Sequence, residues 1–294
     1  MEHKPVMYNE IINYLDLRAG KVILDCTIGT GGHARKILQK ITPGGKLIGI
    51  DRDADSLSFA EQNLKEFKGS YILVKDDFRN LDSVLENIKI KRVDGILFDL
   101  GVSSFQLDNP KRGFSIRGDG PLDMRMDKDS YISAYDLVNS LSEREISSIL
   151  RNFGQERWHN RIAHLMVEKR SKTPISTTKE LSELIVKSIG YKYRDQKIHP
   201  ATRTFQAIRI AVNRELEALD IALDKAINVL KKDGRICVIA FHSLEDRISK
   251  EKIRKYSKES LVNIITKKPL RPMQEEIEDN FRARSARLRV AERI

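Results

Sequence analysis

The stretch Lys21-Val22-Ile23-Leu24-Asp25-Cys26-Thr27-Ile28-Gly29-Thr30-Gly31-Gly32-His33 decides the fold. It begins with a short apolar run that ends in an acid, passes through a glycine-rich turn, and continues into a helical pattern that reaches Gln39. Short apolar runs bounded by turn residues are typical of buried strands. We therefore predict a strand, a tight turn and a helix, which together form the opening unit of a parallel α/β sheet.

The same alternation of strand and helix returns along the chain. Further strands are predicted at Lys46–Asp51, Tyr71–Val74, Val93–Asp99 and Arg235–Phe241. Strands that alternate with helical segments indicate a doubly wound, Rossmann-like parallel sheet with helices on both faces. Two last strands, Leu261–Thr266 and Ala286–Ala291, are expected to form an antiparallel pair. This layout matches that of class I methyltransferases.

A helical segment interrupts the α/β pattern. Residues 131–190 predict helices only, two of which open with the S/T-x-x-E spacing of a capping box, at Ser142 and at Thr177. The α/β pattern resumes with one long predicted helix, Ala201–Lys231, and a later helix is expected to open at Ser243 with Asp246 at its third position. We predict a discontinuous domain, 1–110 and 200–294, and an insert, 111–199, made of a lid loop and an all-helical part.

Composition restricts the class of protein. The net charge of +11 favours a polyanionic partner. No apolar run approaches 18 residues and the first residues lack a signal-peptide pattern, so we expect a cytoplasmic protein without a membrane span. Cys26 and Cys237 lack metal-ligand spacing and are expected to be reduced, and the histidines and acids predict no metal site.

The glycine turn predicts an adenosine-containing ligand. Gly29 to Ala34 fits G-x-G-x-x-A, which alone suits either NAD or an adenosyl cofactor. Asp51 ends the second strand, 22 residues after Gly29, where an acid can accept hydrogen bonds from ribose hydroxyls. Phe78 is interpreted either as an adenine contact or as a core residue.

Acids follow four of the predicted strands. Because ligands of open parallel sheets bind outside the carboxyl ends of the strands, we expect Asp25, Asp51, Asp77 and Asp99 to share one edge. His242 ends the fifth strand at the same edge, where it either lines a substrate pocket or has a structural role.

The segment that follows Asp99 keeps neither a helical nor a strand period up to Asp127, although it carries many apolar residues. Loops of this length in compact domains are usually functional or disordered. We interpret this one as an ordered lid over the site.

Several longer motifs resemble one bacterial family, the 16S ribosomal RNA cytosine-N4 methyltransferases that act on cytosine 1402 of the decoding centre. The resemblance runs over nearly the whole chain. Its motifs are His3–Met7, Gly29–His33, Phe98–Asp108, Asp119–Asp127, Phe153–Glu156, His199–Ile210, Phe241–Arg247 and Arg284–Arg289. Two positions depart from the family pattern, since Phe105 and Phe281 stand where the family usually has proline.

The resemblance implies a class I fold with a helical insert, S-adenosylmethionine as cofactor, and 16S rRNA of the small ribosomal subunit as substrate. The cofactor-binding positions that it implies are Gly31, Gly32, His33, Asp51, Phe78, Asp99 and Gln106.

For catalysis we expect Asp99, with Ser103 and His242 as further candidates, to orient the amino group of a cytosine that has left its stack. The insert, 111–199, is expected to recognise the RNA substrate. Arg284, Arg287 and Arg289, within the basic run 282–293, are expected to contact RNA phosphates. The alternatives are a DNA amino-methyltransferase, a nicotinamide-dependent dehydrogenase, and a non-catalytic RNA-binding assembly factor.

Overall fold

A seven-stranded sheet organises the computed structural model, which describes residues 5–190 and 198–294. His3 and Lys4, part of the first family motif, lie outside the described residues. The strands are β1 (Val22–Asp25), β2 (Lys46–Asp51), β3 (Tyr71–Lys75), β4 (Val93–Asp99), β5 (Leu230–Ala240), β6 (Val262–Ile264) and β7 (Arg287–Arg293). Their order is β3-β2-β1-β4-β5-β7-β6. Strands β1 to β5 pair in parallel, and β7 pairs antiparallel with both β5 and β6. The predicted fold class and the predicted antiparallel last pair are confirmed.

The helices are α1 (Tyr8–Tyr14), α2 (Gly32–Ile41), α3 (Ala54–Leu64), α4 (Leu81–Asn87), α5 (Ser104–Asp108), α6 (Ala134–Ser140), α7 (Glu143–Gly154), α8 (His159–Arg170), α9 (Thr178–Ile189), α10 (Ala201–Asn213), α11 (Glu215–Val229), α12 (Ser243–Lys258) and α13 (Gln274–Asp279). None of the helices in the described part of the chain has both the length and the apolar character that crossing a lipid bilayer requires.

The chain packs as two compact units. The first comprises Met1–Gly101 and Leu216–Ile294 and contains the whole sheet; the second comprises Val102–Glu215. The division therefore falls at 101/102 and 215/216, compared with the predicted boundaries at 110/111 and 199/200.

In the first unit, the two faces of the sheet carry separate hydrophobic cores because successive strand side chains point to opposite sides. Leu24 packs in one core with residues of α4, α11 and α12, whereas Ile23 packs in the other with residues of α1 and α2. Cys26 and Cys237 are both buried and free, in agreement with the prediction.

The second unit has a core formed mainly by α6 to α10. Its described residues contain no strand, as predicted for 131–190, and both predicted capping boxes are present at Ser142 and Thr177.

Three predictions of local structure are wrong. The predicted helix Ala201–Lys231 is two helices, because Arg214 adopts a left-handed conformation with φ of 50°. At that break the Asn213 side chain donates to the Met124 carbonyl and accepts from the Met126 amide, at 2.8 Å each.

Helix α12 is capped by His242 with Glu245 as its partner, one residue before the predicted Ser243 and Asp246. The segment after Asp99 is not wholly irregular, because a capping box starts the short helix α5.

Candidate active site

The turn between β1 and α2 is held in a conformation that only some residues adopt. Gly31 precedes α2 with φ of 89°, in the left-handed region that favours glycine. A Cβ atom at this position would lie 3.4 Å from Cγ of Leu64, an ordinary van der Waals contact, so the requirement for glycine comes from the left-handed backbone. The turn therefore presents bare backbone at the start of α2, as a ligand-binding glycine turn requires.

Asp51 joins the end of β2 to this turn. Its Oδ2 accepts a hydrogen bond from the Gly29 amide at 2.9 Å, and its Oδ1 accepts one from the Asp53 amide at 2.9 Å. Burial raises the pKa of Asp51 to about 6, against the lowering effect of these two hydrogen bonds. A carboxylate has about four acceptor sites, so Asp51 keeps capacity for a ligand hydroxyl.

Asp25 is almost completely buried at the end of β1. Its Oδ1 accepts a hydrogen bond from the Thr27 amide at 3.1 Å. Burial raises the pKa of Asp25 to about 7; the charges of Asp99 and Asp51 add to this rise, while His33 opposes it. Asp25, Asp51 and Asp99 end the neighbouring parallel strands β1, β2 and β4, so these three acids lie at one edge of the sheet, as predicted.

Asp77 has a different setting from the other acids. It caps the short 3-10 helix at 78–80 and forms ion pairs with Arg52 and with Arg79, the latter at 2.9 Å. This carboxylate is therefore committed to the local structure.

Asp99 and His33 leave polar atoms unmatched at the same edge. The Asp99 amide donates to Oγ1 of Thr27 at 2.6 Å, and Oδ2 of Asp99 lies 3.5 Å from Nε2 of His33. Among residues 5–190 and 198–294, Oδ1 of Asp99 and both ring nitrogens of His33 are buried without a hydrogen-bond partner. Buried polar groups are normally paired, so these atoms indicate a polar ligand at this place. The residues therefore fit a cofactor that carries amino, carboxyl and ribose groups.

Phe78 is half-buried and contacts the sheet core. Its ring meets that of Phe98 edge-on, with centroids 5.7 Å apart and planes at 89°. This contact gives the Phe78 ring a packing role in the core. A contact between the same ring and adenine stays a prediction.

His242 caps α12 reciprocally with Glu245. Nδ1 of His242 accepts from the Glu245 amide at 3.3 Å, and Oε2 of Glu245 accepts from the Phe241 amide at 2.8 Å. The capping box gives His242 a role in the local structure. A catalytic role of His242 stays a prediction. Glu245 was not predicted as a capping residue, although its spacing of three residues from His242 is the capping signal. It also missed the Thr27 hydroxyl, for which the sequence holds no comparable signal.

Ser103 and Gln106 lie in the second unit and bond to each other. Oγ of Ser103 accepts from the Gln106 amide at 3.2 Å, and Oε1 of Gln106 accepts from the Ser103 amide at 3.1 Å. This capping box fixes both side chains at the start of α5, and their catalytic and cofactor roles stay predictions.

The structure gives two of the three arginines predicted to bind RNA a role in the fold. Nε of Arg289 bonds to Oδ1 of Asp246 at 2.6 Å, and Nη1 of Arg287 lies 3.2 Å from Oδ2 of Asp246. Burial opposes ionisation of Asp246, but the two guanidinium groups hold its pKa below the usual range. Arg284, in contrast, is exposed, with its guanidinium 4.6 Å from the centroid of the Phe281 ring. Arg284 is therefore the one of the three best placed to meet a phosphate.

The parallel strands, the glycine turn and the acids at one edge define a class I, S-adenosylmethionine-dependent methyltransferase. A family model described as the MraW methylase family matches residues 1–294, and the chain belongs to this family. The predicted family and cofactor are confirmed.

Relatives of known name cover the chain from end to end. Proteins named ribosomal RNA small subunit methyltransferase H are 47% identical over 308 residues in Clostridium botulinum and 48% identical over 308 residues in Caldicellulosiruptor saccharolyticus. Each alignment covers 100% of this chain and 99% of the relative. A relative of the same name in Sulfurihydrogenibium is 47% identical, with full coverage of both chains. A solved rRNA methylase structure from Streptococcus thermophilus aligns at 11% identity and a TM-score of 0.46, covering 100% of this chain and 99% of that one.

Proposed function

We propose that the protein transfers a methyl group from S-adenosylmethionine to the exocyclic N4 of one cytosine in 16S rRNA, at the position corresponding to cytosine 1402. The observation that carries this proposal is the unpartnered Oδ1 of Asp99, a buried acceptor at the carboxyl edge of the sheet. The names of the relatives support a small-subunit rRNA substrate.

The chemical difficulty lies in the nucleophile. The lone pair of a cytosine amino group is delocalised into the ring, and the amino hydrogens are hydrogen-bond donors. The bound cofactor supplies a methyl group that is already electrophilic on its sulfonium. Asp99 offers a carboxylate oxygen that accepts an amino hydrogen, which turns the lone pair out of conjugation. Nε2 of His33 lies 3.5 Å from Oδ2, the other oxygen of this carboxylate.

Positioning accounts for most of the remaining acceleration. The Asp51 carboxylate and the backbone of the glycine turn form one hydrogen-bonded unit, so groups bound there have a fixed place relative to Asp99. Alignment of two reacting groups is worth up to ~7–11 kcal/mol.

The substrate must approach a basic protein and release its target base. The net charge of +11 favours association with RNA, and a cytosine paired or stacked in RNA has to leave its stack before an enzyme can reach N4. Such a substrate places the protein in the cytoplasm with the small ribosomal subunit.

Mass spectrometry of rRNA from cells that lack the protein tests this proposal. We expect the loss of one N4-methyl group at one cytosine of 16S rRNA, and its return when the gene is restored. Purified protein should then methylate small subunits from the deletion cells and leave duplex DNA unmodified. Unchanged rRNA in the deletion cells, or methylation of DNA alone, would contradict the proposal.

A further inference from the structure

One face of helix α12, in the first unit, carries basic side chains that have no role in the methyl transfer proposed above. The inner face of this 16-residue helix is buried through side chains such as Leu244, Ile253 and Tyr256. Residues that follow one another at spacings of three and four lie on one face of a helix. On the outer face of α12 these are Arg247, Lys250, Arg254 and Lys258, of which Lys250 is partly exposed and the others are exposed. We call these four residues the α12 basic face.

The α12 basic face differs from the charged residues elsewhere on the same helix, which are paired. Nζ of Lys252 bonds to Oδ2 of Asp224 at 2.7 Å, and Asp246 bonds to Nε of Arg289 at 2.6 Å. The four side chains of the basic face have neither a hydrogen bond nor an ion pair within the described ranges 5–190 and 198–294. A solvated helix face typically alternates charges of both signs, but Glu251 is the one exposed acid of α12.

The stability of the helix explains only one of these four charges. A cation near the carboxyl end stabilises a helix, and Lys258 is the last residue of α12. Arg247, Lys250 and Arg254 lie before the last turn, where this effect has faded. Like charges four residues apart, such as Lys250 and Arg254, repel each other and destabilise a helix. An anionic partner accounts for such a face, because it would convert this repulsion into attraction.

The α12 basic face starts at the edge of the sheet that carries the candidate active site. Asp99 is in register with Ile239 of β5, and α12 begins four residues after Ile239. Since β7 is antiparallel to both β5 and β6, these two strands run in the same direction, and α12 leads from the carboxyl edge back to the amino edge. Arg247 is therefore the member nearest the site, and Lys258 lies about 16–17 Å further along the helix.

We propose that the α12 basic face is an RNA-binding surface, which holds backbone phosphates that flank the target nucleotide. Lysine and arginine contacts with phosphates give affinity and fix the position of a nucleic acid without reading its sequence. A protein partner fits this face less well, because protein interfaces have an apolar centre. None of the large apolar side chains that are exposed in the described part of the chain belongs to α12. This inference rests on the proposed RNA substrate.

A triple variant of the α12 basic face tests the inference. It combines Arg247→Gln, Lys250→Gln and Arg254→Gln, since glutamine removes the charge and keeps a high helix propensity. Binding to small ribosomal subunits from cells that lack the protein is measured at several salt concentrations. The slope of log affinity against log salt should fall by about 2–3, because each lost phosphate contact removes about 0.7–0.9. The same fall is expected with 16S rRNA extracted from these subunits.

The matched control removes three positive charges from the opposite edge of the sheet. It combines Lys89→Gln, Lys91→Gln and Arg92→Gln, three exposed residues that directly precede β4 and therefore lie at its amino end. This control should keep the wild-type slope. Calorimetry with S-adenosylmethionine shows whether each variant is folded, and both triple variants should bind the cofactor with wild-type affinity. If the α12 triple variant does not fold, its three single variants replace it, each with an expected fall of about 1.

Equal slopes in the α12 variant and the control would overturn the inference. A fall with intact subunits but not with extracted 16S rRNA would assign the α12 basic face to a ribosomal protein, and would also overturn it. Methylation of rRNA by the wild-type protein together with equal slopes would contradict this inference alone. A fall confined to the α12 variant, without N4-methylation by the wild-type protein, would contradict the proposed function and leave the RNA-binding surface standing.

Discussion

Nε2 of His33, at the start of α2, lies 3.5 Å from Oδ2 of Asp99, at the end of β4. The pair links the glycine turn to the acid that we propose orients the substrate. Both side chains also carry buried polar atoms without partners among the described residues, so their hydrogen-bonding capacity is left for ligands.

Asp99→Asn tests the acceptor at this edge. The amide keeps the shape but weakens the acceptor, so we expect single-turnover methylation to fall about 10²-fold or more, the scale seen when one transition-state hydrogen bond is removed. Cofactor binding is measured separately by calorimetry. Asp233→Asn, at an exposed acid in β5, is the matched control and should keep the full rate. An Asp99→Asn protein with the wild-type rate would remove Asp99 from the mechanism.

Gly31→Ala tests the close approach of a ligand to the turn. Gly31 and Gly69 both have left-handed backbones, with φ of 89° and 93°, so alanine at either position should destabilise the protein by about 1–2 kcal/mol. A Cβ atom at Gly69 would meet nothing within 4 Å. We therefore expect thermal unfolding to shift similarly in the two variants, whereas cofactor affinity falls only in Gly31→Ala. Equal affinity in both would show that the turn does not contact the cofactor.

The pH dependence of cofactor binding should follow the edge acids. Because the pKa of Asp25 is about 7 and that of Asp51 about 6, both carboxylates ionise as the pH rises from 5 to 8. S-adenosylmethionine carries net positive charge, so its affinity should increase over this range, by about tenfold per ionisation at most. In Asp25→Asn the rise between pH 7 and 8 should disappear while the lower part, due to Asp51, remains. Calorimetry at a series of pH values measures both, and a flat wild-type profile would contradict the prediction.

The stability of the ligand-free protein should change with pH in the opposite direction. A carboxyl whose pKa is raised on folding contributes stability that is present below its unfolded value of about 4 and is lost as the pH rises through its folded value. For Asp25 this window runs from about 4 to about 7. Asp25→Asn should therefore raise the free energy of unfolding at pH 8 by about 1–3 kcal/mol and have little effect at pH 4. Denaturant titrations at the two pH values provide the measurement, and destabilisation at pH 8 would refute it.

The variants Arg289→Ala and Arg284→Ala distinguish an arginine that stabilises the fold from one that is expected to bind RNA. Removal of Arg289 leaves the Asp246 carboxylate without its 2.6 Å partner, so we expect a loss of about 3 kcal/mol of unfolding free energy. Arg284 is exposed, so its removal should leave stability within about 0.5 kcal/mol and reduce the slope of log affinity for RNA against log salt by about 1. Thermal unfolding and binding at several salt concentrations distinguish the two. A reduced slope together with unchanged stability in Arg289→Ala would reverse these assignments.

The strands and the glycine turn could be predicted because their signals are local. The run Val22–Asp25 and the glycines that follow it carry their own periodicity and backbone preference. The break after α10 could not be predicted, because the apolar stripe continues through it. Its cause is remote, since Asn213 bonds to Met124 and Met126, nearly ninety residues away in the chain.

The same distinction between local and remote signals applies to the residues of the candidate site. The edge acids Asp25, Asp51 and Asp99 follow from strand ends, which sequence patterns locate well. The commitment of Asp77 to Arg52 and of Arg289 to Asp246 depends on pairs that meet only in the folded chain. The sequence of a basic run such as 282–293 therefore shows its total charge. It does not show which of its arginines remain available for a partner after folding.

The position of β7 restricts the order in which the sheet can assemble. Strand β6 precedes β7 in the chain, yet the only strand it pairs with in the described sheet is β7, which separates it from β5. Strand β6 consequently joins the sheet only through β7, either as part of a β6–β7 pair or after β7 has paired with β5. The last two strands lie in the sheet in the reverse of their order in the chain, so this edge cannot be built by adding one strand after another along the sequence.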